Sequence, residues 1–167
     1  MDLQSDKPAE KYADYEVTPC SPTDLSDADI EVCFALIEAG KAVDVDTMKR
    51  DFPHSTVLAI VRKGDQIVGV GAIKRIRERY AAKVARNSEV DFPSNTQELG
   101  YVGVDEHHRR RGLSYRLVET LLSNYANRLF ATTDAEWMKR ALSKYGFSKK
   151  GKEWQGERAV LSYWERM

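Results

Sequence analysis

An α+β domain is the fold class this sequence predicts, and three stretches predict it. STVLAIVRKGDQIVGVGAIKRI reads as a hairpin, two β-branched runs around a Lys63-Gly64-Asp65 turn. ELGYVGVDEHHRRRGLSYRLVETLLSNYANR, residues 98–128, hands an apolar strand over to an amphipathic helix. FSKKGKEW, a Gln155-Gly156 turn and ERAVLSYWER form a closing hairpin. With 167 residues, the chain has room for one such domain and little more.

Taken in order, residues 1–13 are polar and aperiodic and are expected to be a flexible tail, with 14–167 as the single domain. DYEVTPC alternates weakly, as a first strand would. SPTDLSDADIEVCFALIEAGKA predicts a helix. Thr23, Asp24 and Ser26 are its candidate caps, Ile30, Cys33, Phe34 and Ile37 its apolar face, and Gly40 its stop. DVDTMKRDF predicts a short helix ended by Pro53. After the first hairpin, RERYAAKVARNSEVDFPSNTQ is polar, helical at its start, and long for a connection. The helix after the arginines carries Leu113, Leu117, Val118, Leu121, Leu122 and Tyr125 on one face. RLFATT is a further strand, and DAEWMKRALSKYGF a helix that Gly146 can stop.

Composition narrows the function classes. Hydrophobic residues make up 42% and charged residues 31%, a soluble globular profile. No apolar run is long enough for a membrane span, and the N-terminal residues lack a signal-peptide core, so a cytoplasmic protein is expected. Cys20 and Cys33 have neither disulfide-framework nor metal spacing and read as plain thiols. His107 and His108 have no third ligand at recognisable spacing, so no metal is expected. His54 reads as an inert loop residue. Trp137, Trp154 and Trp164 fit core or hairpin packing. The zero net charge conceals an asymmetry: 13 acidic against 5 basic side chains in residues 1–54, and 13 against 21 in residues 55–167. An anion bound by the later part and a cation near the earlier part would suit it.

Arg109, Arg110 and Arg111 stand against Gly112 where strand passes to helix. The first amides of a helix lack intrahelical partners, and its dipole favours negative charge there. Glycine lets a ligand approach the backbone closely, and arginines can pair with phosphate oxygens. GxxxxGK[ST] and GxGxxG are both absent, which excludes a P-loop and a dinucleotide fingerprint. A basic surface patch and an anion cradle both remain open on these residues alone.

The same residues resemble the signature of the GNAT family of N-acetyltransferases, an apolar strand followed by Gln/Arg-x-x-Gly-x-Gly/Ala opening a helix. Val104 ends the strand, and Arg109 to Ser114 fill the six positions, with Ser114 where Gly or Ala is usual. The order of elements over about residues 14–165 is similar too. The resemblance implies a mixed, mostly antiparallel sheet of about seven strands, splayed between strands 4 and 5 and flanked by helices. It implies an acetyl-CoA co-substrate. The backbone of Tyr101, Val102, Gly103 and Val104 would pair with the pantetheine arm, and Arg109, Arg110, Arg111, Gly112, Leu113 and Ser114 would surround the pyrophosphate.

It further implies direct acetyl transfer to an amine. Freeing the lone pair of an ordinary lysine at pH 7 costs about 4–5 kcal/mol, so a base is worth having. Glu98, six residues before Val104, stands where the histone-acetyltransferase branch has its catalytic glutamate. The family's tyrosine acid falls on Leu142 and its helix-start asparagine on Ala135, so Tyr145, three residues on from Leu142, becomes the candidate acid. Tyr80 and Lys83 lie in the segment that borders the acceptor pocket in this fold. Asp27, Asp29, Glu31, Asp44 and Asp46 would suit a cationic acceptor. The expected partner is a small-molecule or protein amine, with no membrane and a homodimer left open. Two rivals stand. One is a coenzyme A sensor without catalysis, favoured by Leu142. The other is a nucleic-acid module using HHRRR and KKGKEW, disfavoured by the neutral charge and the lack of a basic-aromatic strand.

Overall fold

The computed structural model describes residues 14–167. The tail expected at 1–13 lies outside the described residues. Seven strands form one sheet: β1 (Glu16–Cys20), β2 (Val57–Lys63), β3 (Gln66–Ile73), β4 (Gln97–Val104), β5 (Leu129–Thr133), β6 (Ser148–Gln155) and β7 (Val160–Arg166). Their spatial order is β1-β2-β3-β4-β5-β7-β6, and every neighbouring pair is antiparallel except β4 with β5. The class and the mixed sheet are those the sequence predicts.

Five helices flank the sheet: α1 (Asp27–Ala39), α2 (Val45–Asp51), α3 (Glu78–Ser88), α4 (Leu113–Ser123) and α5 (Glu136–Lys144). Ser26 caps α1 through Asp29 N, while Ser21 and Asp24 close a capping box on the preceding 3-10 turn. Cys33, Phe34 and Ile37 of α1 pack with Met48, Phe52, Leu58, Ile60 and Tyr101 on one face of the sheet. On the other face Leu113, Leu117, Val118 and Leu121 of α4 meet Ala59, Val61, Val68 and Leu99. Each stripe is the one its helical period predicts. The long polar connection after β3 is helical over Glu78–Ser88 because Ala81 and Val84 reach Phe92, Phe130 and Tyr163. Trp164 is core, with Nε1 donating to Ser162 Oγ at 2.8 Å, and Trp154 is half-buried beside α3. Trp137 is 42% exposed, unlike the packed residue expected, because Met138, Ala141 and Leu142 take the inward positions of α5. Among the described residues, no helix is long and apolar enough to cross a membrane.

Two features of β4 position the site. First, the parallel ladder holds only Gln97 to Leu129 and Glu98 to Phe130, so from Leu99 onward β4 and β5 part as a fork. Second, between the pairs Ala72–Gly100 and Val70–Gly103, one β3 residue faces two on β4. This bulge turns Tyr101 to φ +53°, a left-handed conformation that costs a non-glycine residue about 1–2 kcal/mol. The strain lies at the mouth of the fork, where the bulge re-aims the β4 backbone.

Candidate active site

The anion end is built by the loop from Asp105 to Gly112. Arg110 (φ +63°) and Gly112 (φ +74°) both take left-handed conformations, the latter as N-cap of α4. Gly112 offers no side-chain cap and the first turn of α4 has no acidic residue, so among the described residues neither kind of partner answers the leading amides. Arg109 Nε donates to Val104 O at 3.1 Å and closes the end of β4. Arg110 and Arg111 are exposed and form no ion pair among the described residues. His108 fastens the loop to the start of the sheet: its Nδ1 lies 2.8 Å from Tyr15 Oη, ring edge to face. The loop therefore sets two exposed arginines against the start of α4.

At the closed end of the fork stands Glu98, 5% exposed. Lys74 is its cross-strand neighbour: Lys74 N donates to Glu98 O at 2.8 Å, and Lys74 Nζ lies 3.1 Å from Glu98 Oε1. The ammonium also sits 4.1 Å from the centre of the Tyr101 ring. Gly100 makes this possible, since a Cβ there would lie 2.7 Å from Lys74 Cε. Burial pushes the Lys74 ammonium below its ordinary range, and Glu98 opposes that shift. Arg77 bridges Glu98 Oε1 (3.7 Å) and Asp51 Oδ2 (3.5 Å), and Asp51 is itself buried at the end of α2. On the other side, Thr132 Oγ1 lies 3.5 Å from Glu98 Oε2 and 3.1 Å from Tyr80 Oη. Burial, reinforced by Glu98, raises the Tyr80 phenol, and burial pushes that of Tyr101 up to about 12.

A cleft of about 680 Å³ opens above this cluster, of the size that takes small molecules. Its walls come from the α1–α2 loop, α3, Asp134 after β5, and the tip of the β6–β7 hairpin. Tyr80 and Lys83 both line it, as do Lys74, Arg77 and Tyr101; none of residues 109–114 does. Glu98 thus stands at the closed end of the fork, and the 109–114 loop follows β4 beyond its open end.

Tyr145 is not brought to Glu98. It caps the end of α5, its ring tilts against Tyr115, and its hydroxyl donates to Glu119 Oε2 at 3.2 Å. Four of the five acidic residues expected near a cationic acceptor, Asp27, Asp29, Glu31 and Asp46, do not line the cleft. Asp27 and Asp29 open α1, and Asp29 meets Arg62 at 3.3 Å. Of the five, only Asp44 lines the cleft, where it caps α2. Sequence reading missed Lys74, Arg77, Asp51 and Thr132. Lys74 did leave a signal, a lysine in phase with the buried Val70 and Ala72. Asp51 and Thr132 left none, because their neighbours come from distant chain.

The family model described as "Acetyltransferase (GNAT) family" matches residues 25–147. No curated protein matches the sequence. Among solved structures, a GNAT-family acetyltransferase from Streptococcus agalactiae is similar with TM-score 0.68 and 13% identity, over 90% of this chain and 95% of that one. ElaA from Escherichia coli is similar with TM-score 0.63 and 15% identity, over 92% and 99% of the two chains. An acyl-CoA N-acyltransferase from Pseudomonas aeruginosa gives TM-score 0.63 and 12% identity, again over 92% and 99%. At such identities the likeness shows the fold.

Proposed function

Since the chain belongs to the GNAT acetyltransferase family, we propose that it transfers acetyl from acetyl-CoA directly to a primary amine. The observation that carries this is the fork itself. An uncapped helix start behind Gly112 follows its open end, and a buried carboxylate stands at its closed end, beside an open cleft. Acetyl-CoA, when bound, supplies a thioester whose acyl carbon takes the amine nitrogen and whose sulfur leaves as thiolate. The leading amides of Leu113 and Ser114, with Arg110 and Arg111, hold its phosphates. The β4 backbone from Tyr101 to Val104 lies along its arm, and an amide re-aimed at the bulge is placed to donate to the carbonyl oxygen as charge develops there. Glu98 receives the proton the amine must lose, directly or through one water. Lys74 and Arg77 fix the carboxylate, and Thr132 ties it to Tyr80. No cysteine is asked to act, and burial raises the Cys33 thiol to about 12, the wrong direction for a nucleophile.

The test is amine-dependent thiol release from acetyl-CoA across an acceptor panel, run beside longer acyl-CoAs. Release with at least one primary amine is the expected result. Binding of acetyl-CoA without release for any amine would establish the sensor reading instead.

Tyr145 enters this proposal as donor to the departing thiolate, and to serve it must release Glu119. Tyr145→Phe is then expected to lower kcat by about 10- to 10³-fold with acetyl-CoA binding intact. An unchanged kcat would assign the residue to packing against Tyr115.

A further inference from the structure

The charges that face the acceptor cleft are not those a cationic substrate would need. Five cations line it, Lys41, Lys74, Arg77, Lys83 and Arg158, against Asp44, Asp134 and Glu157. Their engagements differ. Lys74 and Arg77 are held by Glu98 and Asp51. Arg158 forms an ion pair with its exposed neighbour Glu157, a contact worth little, and also acts on Asp44. Asp44 Oδ2 accepts from both Thr47 N and Thr47 Oγ1, at 3.0 and 2.6 Å. That leaves Lys41 and Lys83 as cations, and Asp44 and Asp134 as carboxylates, without an ion pair among the described residues, with Asp44 already accepting twice from Thr47. Lys41 is moreover held at φ +56°, a conformation lysine seldom adopts, directly after α1.

The arrangement has a direction. Tyr80, Lys83, Val84 and Asn87 line the cleft from one stripe of α3, and Tyr80 is joined through Thr132 to Glu98. At about 1.5 Å of rise per residue, Lys83 begins about 4.5 Å further along the helix from Tyr80. We propose that the acceptor is a primary amine that also carries an acidic group. Its amine lies at the Tyr80 end of the cleft, behind which Thr132 and Glu98 stand, and its acid reaches the Lys83 ammonium, with Lys41 also lining the cleft. A diamine of the same length would put a second positive charge beside Lys83. The amine's placement rests on the acyl-transfer reading; the recognition of the acid does not.

The experiment compares 5-aminopentanoate, 5-aminopentylphosphonate and 1,5-diaminopentane in two assays, thermal stabilisation of the protein and thiol release from acetyl-CoA. The wild type is expected to be stabilised by the two acids and not by the diamine, and to favour the acids in kcat/KM by about tenfold or more. Lys83→Glu should reverse that order, and added salt should weaken it. The ratio of the two acids reports whether carboxylate or phosphonate is the better fit. Preference for the diamine, no stabilisation by either acid, or an order unchanged by Lys83→Glu would each overturn the proposal. Stabilisation by the acids without any thiol release would leave the acid-recognising cleft standing and remove the acyl-transfer reading.

Discussion

Gly112→Glu is expected to abolish the rise in melting temperature that acetyl-CoA is expected to give the wild-type protein. A ligand bound only by the folded state at one hundred times its Kd adds about 2.7 kcal/mol, which for a chain of this size is about 5–10 °C. Gly112 caps α4 in a left-handed conformation, at φ +74°. A glutamate there is strained in the backbone and sets a carboxylate against amides that otherwise have no side-chain cap. The substitution lowers the ligand-free melting temperature as well, so the decisive reading is the shift on adding acetyl-CoA. A shift equal to that of wild type would remove the loop from the binding site. Gly112→Ala separates the two effects, since it brings the strain without the charge and should retain part of the shift.

Glu98→Gln is expected to slow acetyl transfer by about 10²- to 10⁴-fold near pH 7, the range of a positioned general base. Glutamine keeps the length and leaves an oxygen for Lys74, so the fork should stay assembled, which an unchanged response to acetyl-CoA would verify. The loss should shrink as pH rises, because the acceptor amine sheds its proton unaided near its own pKa. The measurement is the ratio of mutant to wild-type rate from about pH 6.5 to about pH 9.5. A ratio near one throughout would take Glu98 out of the mechanism and leave water as the proton acceptor. A ratio low but flat would make Glu98 a residue that only orients the fork with Lys74 and Arg77.

What the sequence made legible follows the range of each interaction. The α4 face and the hairpin around Gly64-Asp65 depend on spacing and turn chemistry, both local, and the structure has them where expected. The Arg109–Ser114 loop was visible for the same reason, since strand, glycine and helix are consecutive. α3 was only half legible: its polar sequence gives no reason for a helix until Phe92, Phe130 and Tyr163 are present to cover Ala81 and Val84. The ionic cluster was invisible apart from Glu98. Asp51, Lys74 and Thr132 come from three separate elements, and only the sheet order brings them together. The acidic N-terminal part misled for a comparable reason. Asp24, Asp29 and Asp44 serve caps and a pair with Arg62, and of the described acidic residues up to 54 only Asp44 lines the cleft.

The fork also gives this sheet more than two edges to protect from other chains. The outer ones have ordinary defences: β1 is five residues long and contains Pro19, and β6 carries Lys149, Lys150 and Lys152 with a register break before Trp154. The inner lips, β4 beyond Glu98 and β5 beyond Phe130, have no lysine, proline or charged side chain along Leu99–Val104 and Ala131–Thr133. Unpaired backbone on such apolar strands is a template for β-pairing between molecules. Divergence is the remaining safeguard, because a regular strand has one spacing and cannot satisfy two lips that draw apart. An arm bearing amide groups, lying in the gap, would cover those lips as a partner strand covers an edge. If the arm of acetyl-CoA lies in this gap as proposed, resistance to self-association would follow how fully that gap is occupied.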